Sequence, residues 1–217
     1  MTIVTVAEAL KTRHSTRAFL PTPVESDKLK FVLEAAARTP SWANSQPWEV
    51  FAATGDTLDR IRKAYGEKYE QKAKTNPETP RPLKWSEAAI SFRDELRPGM
   101  ARDCGDAAGQ FHVLNQMMFS APAVLYICMD KVLSEWSLYD IGAYSQSIML
   151  AAIEQGLATI PAITLMLFPD VLRSELKIPE NLKLTIGIAI GYEDKEHGIN
   201  RFVSGRKSLD KTVHFCD

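Results

Sequence analysis

The feature that most limits the fold of this chain is a long apolar segment at 138–157, LYDIGAYSQSIMLAAIEQGL. Its spacing predicts a helix that ends at Gly156, because glycine readily adopts the backbone conformation of a helix C-terminus. The apolar side chains occupy more of the circumference than the single stripe that a surface helix needs. We therefore predict a helix that is buried all round, which in a chain of 217 residues indicates burial against a second subunit.

Shorter apolar runs predict the strands. Two continuous runs, AVLYICM at 123–129 and LKLTIGIAIGY at 182–192, predict strands, and WEVFAAT at 48–54 predicts a third, buried one. Helical spacing recurs at 5–13, 27–38, 54–69, 109–122 and 168–179, and the first of these helices begins with the capping-box pair Thr5 and Glu8. Few strands are separated by a single crossover helix. The order predicts one α+β domain over 1–217, with a small, mostly antiparallel sheet packed by helices.

One stretch between these elements does not fit the core. The segment KTNPETPRPLKW at 74–85 contains three prolines, which cannot lie inside a helix or a central strand. We predict that residues from about 65 to 109 leave the core, as part helix and part mobile chain.

Composition and missing motifs exclude several classes of protein. The formal net charge of −1 gives no broad electrostatic surface for nucleic acid or an anionic membrane, and no apolar run is long enough to span a bilayer. Three widely spaced cysteines and the absence of a signal-peptide pattern predict a reducing, cytoplasmic setting. The four histidines lack metal-ligand spacing, so no metal site is expected. No dinucleotide-binding or P-loop glycine pattern and no catalytic triad motif is present.

The segment RHSTR at 13–17 is a candidate anion site. The guanidinium groups of Arg13 and Arg17 can grip phosphate oxygens, and the Ser15 hydroxyl can complete such a site. Cations at the end of a helix are also ordinary surface charge that offsets the helix dipole. Taken alone, the segment is more typical of surface charge.

Three other segments each allow two interpretations. The loop PSWANSQPW at 40–48 offers amides and hydroxyls that suit a polar ring edge or a sugar chain, or it is a structural turn. The run GLATIPAITLM at 156–166 is either a core segment or a backbone edge that presents N–H groups to a ligand. Arg206, in SGRKSL at 204–209, belongs to a solvated tail or is a second cation for the anion at Arg13.

Taken together, these segments resemble the FMN-dependent nitroreductase family. The order and spacing of RHSTRAF, PSWANSQPW, the proline-containing turn, GIAIGY and the late arginine match from Val6 to Val213. Residues 119–157 are especially similar to the nitrobenzene and nitrobenzoate reductase branch. The resemblance implies an intertwined homodimer with FMN at the subunit interface.

The resemblance also implies a role for each matching residue. Arg13 and Arg206 would clasp the FMN phosphate, and three neighbours would contact the phosphate, the ribityl chain or the ring edge: His14, Ser15 and Arg17. Residues of the other subunit would reach the flavin, with Gln46 supporting their loop: Pro40, Ser41, Trp42 and Asn44. The amide of Asn115 would meet the ring edge, and backbone N–H groups would point to flavin N5 and O4 from Ala162, Ile163 and Thr164.

Three positions depart from the family pattern. Trp42 stands where many members carry a small residue, which can narrow the substrate pocket. Ser204 replaces a second basic residue that is often found in the phosphate clamp. Gln116 replaces a lysine that some members carry near flavin N1, so that Arg17 becomes the cation expected to stabilise reduced flavin.

The implied activity is reduction of nitroaromatic or similar electron-poor acceptors by NAD(P)H, in a ping-pong mechanism carried by the flavin rather than by a catalytic side chain. Reduction of quinones, enones or free flavin is an alternative on the same fold. Reductive dehalogenation is another, with residues 65–109 acting as a lid. The alternative that is not an enzyme is a flavin-binding dimer without turnover.

Overall fold

The computed structural model describes residues 4–216. Within this range the helices alternate irregularly with strands along the chain, as predicted for an α+β fold. The α-helices are α1 (Val6–Thr12), α2 (Ser26–Ala36), α3 (Gly55–Glu70), α4 (Glu87–Asp94), α5 (Leu96–Cys104), α6 (Phe111–Gln116), α7 (Glu135–Glu154) and α8 (Pro169–Leu176). None of the helices in this part of the chain is both long and apolar enough to cross a membrane.

Four strands form one antiparallel sheet in the order β1-β2-β4-β3. They are β1 (Glu49–Thr54), β2 (Ala123–Asp130), β3 (Ala158–Ala162) and β4 (Leu182–Gly191). The predicted fold class, a small antiparallel sheet packed by helices, is confirmed. Strand β3, which contains Pro161, lies at an edge of the sheet, where a missing N–H is tolerated.

The central strand β2 is apolar throughout because it is buried on both faces. Val124, Tyr126 and Cys128 belong to the core cluster that includes residues of α3 and α8. Leu125 and Ile127 belong to the opposite cluster, built on α2 and α7. The helices therefore cover both faces of the sheet, and the sheet edges and the helix ends remain for a binding site.

Two sequence predictions are corrected by the structure. Strand β1 is an edge strand with mostly half-buried or exposed residues, not the buried strand predicted. Helix α7 begins at Glu135, three residues earlier than predicted. Within one chain Trp136 and Tyr139 of this helix are 66% and 74% exposed, so its burial against a second subunit stays a prediction.

The segment that was predicted to leave the core from residue 65 leaves it later. Helix α3 continues to Glu70, and Tyr65 is completely buried. Beyond α3 the chain is anchored at Glu78, whose carboxylate accepts hydrogen bonds from the Arg173 guanidinium (2.7 and 3.0 Å) and from the Leu184 N–H (2.7 Å). Helix α4 buries no side chain, whereas α5 buries Met100 and Cys104.

Candidate functional site

Arg13 lies where helix α1 ends and an extended segment begins. The reciprocal hydrogen bonds between Thr5 and Glu8 confirm the predicted capping box, and Arg13 terminates the helix with its N–H bonded to the Ala9 carbonyl at 2.9 Å. Partial burial, and then the positive charge of Arg206, lower the pKa of Arg13. The tail therefore brings Arg206 close to Arg13, although 193 positions separate them in the sequence.

Neither guanidinium is neutralised by an acidic residue. Arg206 donates only to oxygens of its own turn, the Ser204 carbonyl and hydroxyl (both 2.9 Å) and the Gly205 carbonyl (3.0 Å). Among the ion pairs of residues 4–216, none includes Arg13 or Arg206. Two adjacent cations without a counter-ion form a site for a dianion such as a phosphate monoester.

The residues after Arg13 are fixed by contacts with the sheet. Ser15 forms a parallel bridge with Thr159 of strand β3, and the Thr16 N–H donates to the Thr159 carbonyl at 3.1 Å. The His14 ring lies 2.9 Å from a Glu193 carboxylate oxygen and 3.2 Å from the Thr12 carbonyl. The ring of His14 is thus committed to Glu193, which leaves its backbone to act beside Arg13.

Arg17 is the buried cation of the site. Its side chain is 9% exposed, donates from Nη1 to the Ser15 carbonyl at 2.9 Å, and stacks 5.3 Å from the centre of the Phe202 ring. Its Nε is buried and has no hydrogen-bond partner within the described chain. Burial lowers the pKa of Arg17, because charge is costly in a poorly solvated environment.

Asn200 holds the backbone of Arg17 in place. Its Oδ1 accepts from the N–H groups of Arg17 (2.7 Å) and Ala18 (3.2 Å), and its Nδ2 donates to the carbonyls of Ala18 (2.8 Å) and Asp194 (2.9 Å). The side chain is buried, so these bonds are not exchanged with water. Asn200 is therefore a positioning residue for Arg17.

Asn115 and Thr164 meet through their side chains. The Thr164 hydroxyl donates to Asn115 Oδ1 at 3.1 Å, and Asn115 Nδ2 donates to the Phe111 carbonyl at 2.7 Å. Ala162 ends strand β3, and Ile163 and Thr164 open a short helical turn that no side chain caps. The first N–H groups of such a turn have no acceptor within it and can point to a ligand.

The close packing of this turn depends on Gly187 in strand β4. A Cβ at position 187 would lie 2.7 Å from Leu165 Cβ, which is shorter than real contacts allow. Glycine at this position therefore lets the turn approach the sheet. The GIAIGY motif contributes to the site in this way, through a missing side chain.

The loop at 40–46 lies against α7 rather than against Arg13 and Arg17. The Trp42 N–H donates to the Asp140 carboxylate at 3.2 Å, and the Gln46 N–H donates to the Ser41 hydroxyl at 2.9 Å. Gln46 Nε2 reaches the side chain of Asn44 at 3.2 Å. Pro40 is exposed, and Trp42 is 68% exposed. Within residues 4–216, no hydrogen bond or ion pair joins this loop to the other predicted site residues.

Three residues of this loop have a left-handed backbone, which is unusual in a loop that only connects two elements. Ala43, Asn44 and Gln46 have φ angles of 52°, 54° and 44°. For residues with a side chain this conformation costs roughly 1–2 kcal/mol each and is found where the surroundings or a function require it.

A cavity of about 990 Å³ lies beside Arg17. The cavity is lined by helices α4 and α5, through Arg93, Leu96 and Arg97. Ala108, Phe111 and His112 also line it. A second cavity of about 550 Å³ lies beside Arg206 and shares Arg93 and Leu96 with the first. Arg206 and Arg17 thus border two adjoining cavities.

The "Nitroreductase family" model matches residues 10–192, most of the chain. The chain belongs to the nitroreductase family. The predicted resemblance is therefore confirmed. A chloronitrobenzene nitroreductase of Comamonas testosteroni is 31% identical over 220 residues, which cover 97% of this chain and 96% of that protein. The nitroreductase NfnB of Mycolicibacterium smegmatis is 30% identical over 95% of this chain and 90% of its own.

Solved structures agree with the sequence relatives. The crystal structure of the FMN-dependent nitroreductase NfnB from Mycobacterium smegmatis in complex with NADPH superposes with a TM-score of 0.89. It is 27% identical in sequence, and the match covers 97% of both chains. This nitroreductase chain therefore shares a fold, over nearly its whole length, with a protein described as FMN-dependent.

Sequence reasoning missed the residues that support this nitroreductase site from a distance. Glu193 and Asn200 follow strand β4, and they bind His14 and Arg17, respectively. Arg93 of α4 and Arg97 of α5 line the cavity. No local motif marks them. The one available signal was the dense polar run after GIAIGY, which is too long and too charged to serve only as a turn.

Proposed function

We propose that this protein is an FMN-dependent oxidoreductase that uses NADPH to reduce nitroaromatic compounds. Its family, and the activities by which its relatives are named, support this class of reaction. We further propose that residues 1–217 form one FMN-binding domain. The site residues assigned by resemblance are part of the proposal, and their geometry supports it as follows.

The observation that carries the proposal is the pair formed by Arg13 and Arg206. FMN has a phosphate monoester at one end, and the two unneutralised guanidiniums form a site for such a group. Burial, and then the positive charge of Arg206, lower the pKa of Arg13, and a bound dianion would offset both effects. Ser15 and the backbone of His14, fixed by Thr159 and Glu193, complete the phosphate end.

The ring end of the ligand is assigned to Arg17, Asn115 and the turn after β3. Arg17 lines the cavity, and its charge would stabilise negative charge at the edge of a ring bound there. Asn115 and the N–H groups that follow Ala162 orient the ring from the other side.

The lining of the large cavity supports chemistry carried by a cofactor. Asp94, the one acidic residue among residues 4–216 that lines it, is bound to Arg93 at 2.9 Å. When bound, FMN supplies the two-electron chemistry between the nicotinamide and the acceptor. Apolar side chains of Leu96, Met100 and Phe111 exclude water from the same space. We propose that NADPH and the acceptor occupy this cavity in turn, which is a ping-pong order.

We also propose a homodimer and a lid. The exposed loop at 40–46 holds strained backbone without contacting its own chain's site, which supports a role for Pro40, Ser41, Trp42 and Asn44 at the site of a second subunit. Helix α4 buries no side chain, although Arg93 lines the cavity. This supports closure of the segment after Glu78 over a bound substrate.

The experiment that tests the function is anaerobic spectroscopy of the purified protein. We expect a flavin absorbance spectrum that NADPH bleaches and 4-chloronitrobenzene restores. A flavin that NADPH does not bleach would identify a passive flavin-binding protein. Faster reoxidation by a quinone or an enone than by any nitroaromatic would favour the alternative reductases, and a colourless protein that does not bind added FMN would contradict the proposal.

A further inference from the structure

Three arginines and one aspartate line the 990 Å³ cavity, in a chain whose formal net charge is −1. The aspartate, Asp94, is held by Arg93, whose Nε and Nη2 both lie 2.9 Å from one carboxylate oxygen. This pair is locally neutral. The positive charge that remains in the cavity belongs to Arg17 and Arg97.

The two remaining arginines differ in their surroundings. Arg17 is buried, and its guanidinium is held by the Ser15 carbonyl and the Phe202 ring. Arg97 lies on the exposed face of helix α5, at the mouth of the cavity, and takes part in no hydrogen bond or ion pair with residues 4–216.

The neighbours of Arg97 are apolar. Leu96, Pro98, Met100 and Phe111 line the same cavity and offer a surface for a flat aromatic group. A guanidinium beside such a surface matches a ligand that carries an oxyanion at the edge of an aromatic ring, because the planar fork binds carboxylate or phosphate oxygens in pairs.

We propose that Arg97 is a specificity-determining residue that binds an oxyanion of a substrate in this cavity. The oxyanion is a carboxylate of the aromatic acceptor or the 2′-phosphate of NADPH, since both present oxygens in pairs to a guanidinium. The inference rests on the proposed function, because it names the substrate chemistry of the same site. It adds that the site selects its substrates by their charge as well as by their electron deficiency.

The test uses the FMN-loaded protein and the variant Arg97→Gln. The acceptors 4-nitrobenzoate and 4-nitrobenzamide are similar in size and differ in charge, and NADPH is compared with NADH. We expect Arg97→Gln to lower kcat/KM about tenfold either for 4-nitrobenzoate alone or for NADPH alone, mainly through KM. This corresponds to the loss of one charge-assisted hydrogen bond, ~1.5 kcal/mol. Arg97→Lys should retain part of the preference.

A selective loss with 4-nitrobenzoate assigns the oxyanion to the acceptor, and a selective loss with NADPH assigns it to the dinucleotide. Arg60→Gln is the matched control, because it removes an equal charge at an exposed ion pair with Glu175, away from the cavity lining. Equal effects of Arg97→Gln on both members of each pair, or no effect on any of them, overturn the proposal.

A binding measurement separates this inference from the proposed function. Calorimetric titration with benzoate and with adenosine 2′-monophosphate requires no turnover. If the wild-type protein reduces no nitroaromatic, the function fails, while weaker binding of either anion to Arg97→Gln than to Arg60→Gln still supports the subsite. Identical binding of both anions by the two variants rejects it.

Discussion

Arg13 and Arg206 hold like charges close together, which costs free energy as long as no anion lies between them. The fold maintains the arrangement from both sides, since α1 ends at Arg13 and the turn at Ser204 holds the Arg206 guanidinium. Ser204, which departs from the family pattern, carries no charge, but its carbonyl and hydroxyl oxygens accept hydrogen bonds from Arg206. At the scale of single residues, this arrangement is the one that the proposed phosphate site requires.

The prediction at this scale concerns Arg13→Ala. Losing one charge-assisted bond of ~1.5–3 kcal/mol should weaken FMN binding about ten- to a hundredfold. The dissociation constant is measured by titrating apoprotein with FMN and following flavin fluorescence. Lys11→Ala is the matched control, because Lys11 is an exposed cation of the same helix. Equal FMN affinity in the two variants would remove Arg13 from the phosphate site.

Sequence reasoning reached the residues that lie in one local motif and missed those that act across the chain. Arg13, Ser15 and Arg17 form a short run that alone is more typical of surface charge, and the family resemblance assigned it to an anion. Asn200 bonds to Arg17 across 183 positions, and Glu193 meets His14 across 179. Which distant polar group satisfies a backbone N–H depends on the complete fold, and a single sequence does not contain that information in local form.

At the scale of elements, apolar patterns predicted the presence of strands better than their burial. The runs of β2 and β4 are continuous because both faces of these central strands are covered. The sequence of β1 has a similar composition, yet the strand lies at an edge, because pairing order is decided by the whole sheet. The prolines in 74–85 predicted a departure from the core but not the ion pair that anchors it.

The anchor at Glu78 gives the prediction for this scale. Arg173 and Glu78 form a half-buried bidentate pair, and Glu78 also accepts from the Leu184 N–H of strand β4. Glu78→Gln leaves the Arg173 cation without its counter-charge and should lower the free energy of unfolding by about 3 kcal/mol. Urea unfolding with saturating FMN measures this, because excess ligand keeps loss of the cofactor from dominating the result.

Glu180→Gln is the control for the anchor. Glu180 lies 4.0 Å from the same Arg173, but its side chain is 86% exposed, and an exposed pair contributes between zero and about 1 kcal/mol. If both substitutions change the free energy of unfolding equally, Glu78 does not anchor the segment in the way that its contacts indicate.

At the scale of the whole molecule, one chain leaves large aromatic side chains without cover. Trp42 on the loop and Trp136 and Tyr139 on α7 are exposed, and the Trp42 N–H is tied to α7 through Asp140. The apolar character of α7, which the sequence showed as a helix without a polar face, is explained within one chain only for the face that packs on α2 and the sheet. The remaining apolar surface supports the proposed second subunit.

The proposed dimer leads to a prediction that a measurement of oligomeric state alone does not test. If Ser41 and Asn44 serve the FMN of the partner, each site combines Arg13 of one chain with the loop of the other. We prepare Arg13→Ala and, separately, Ser41→Ala with Asn44→Gly, in which glycine retains the left-handed backbone of position 44. Each homodimer should lose FMN on gel filtration. A heterodimer of the two variants regains one intact site, so that it should retain about half of the wild-type FMN per dimer, whereas a loop that served its own chain would leave both sites damaged and the heterodimer colourless.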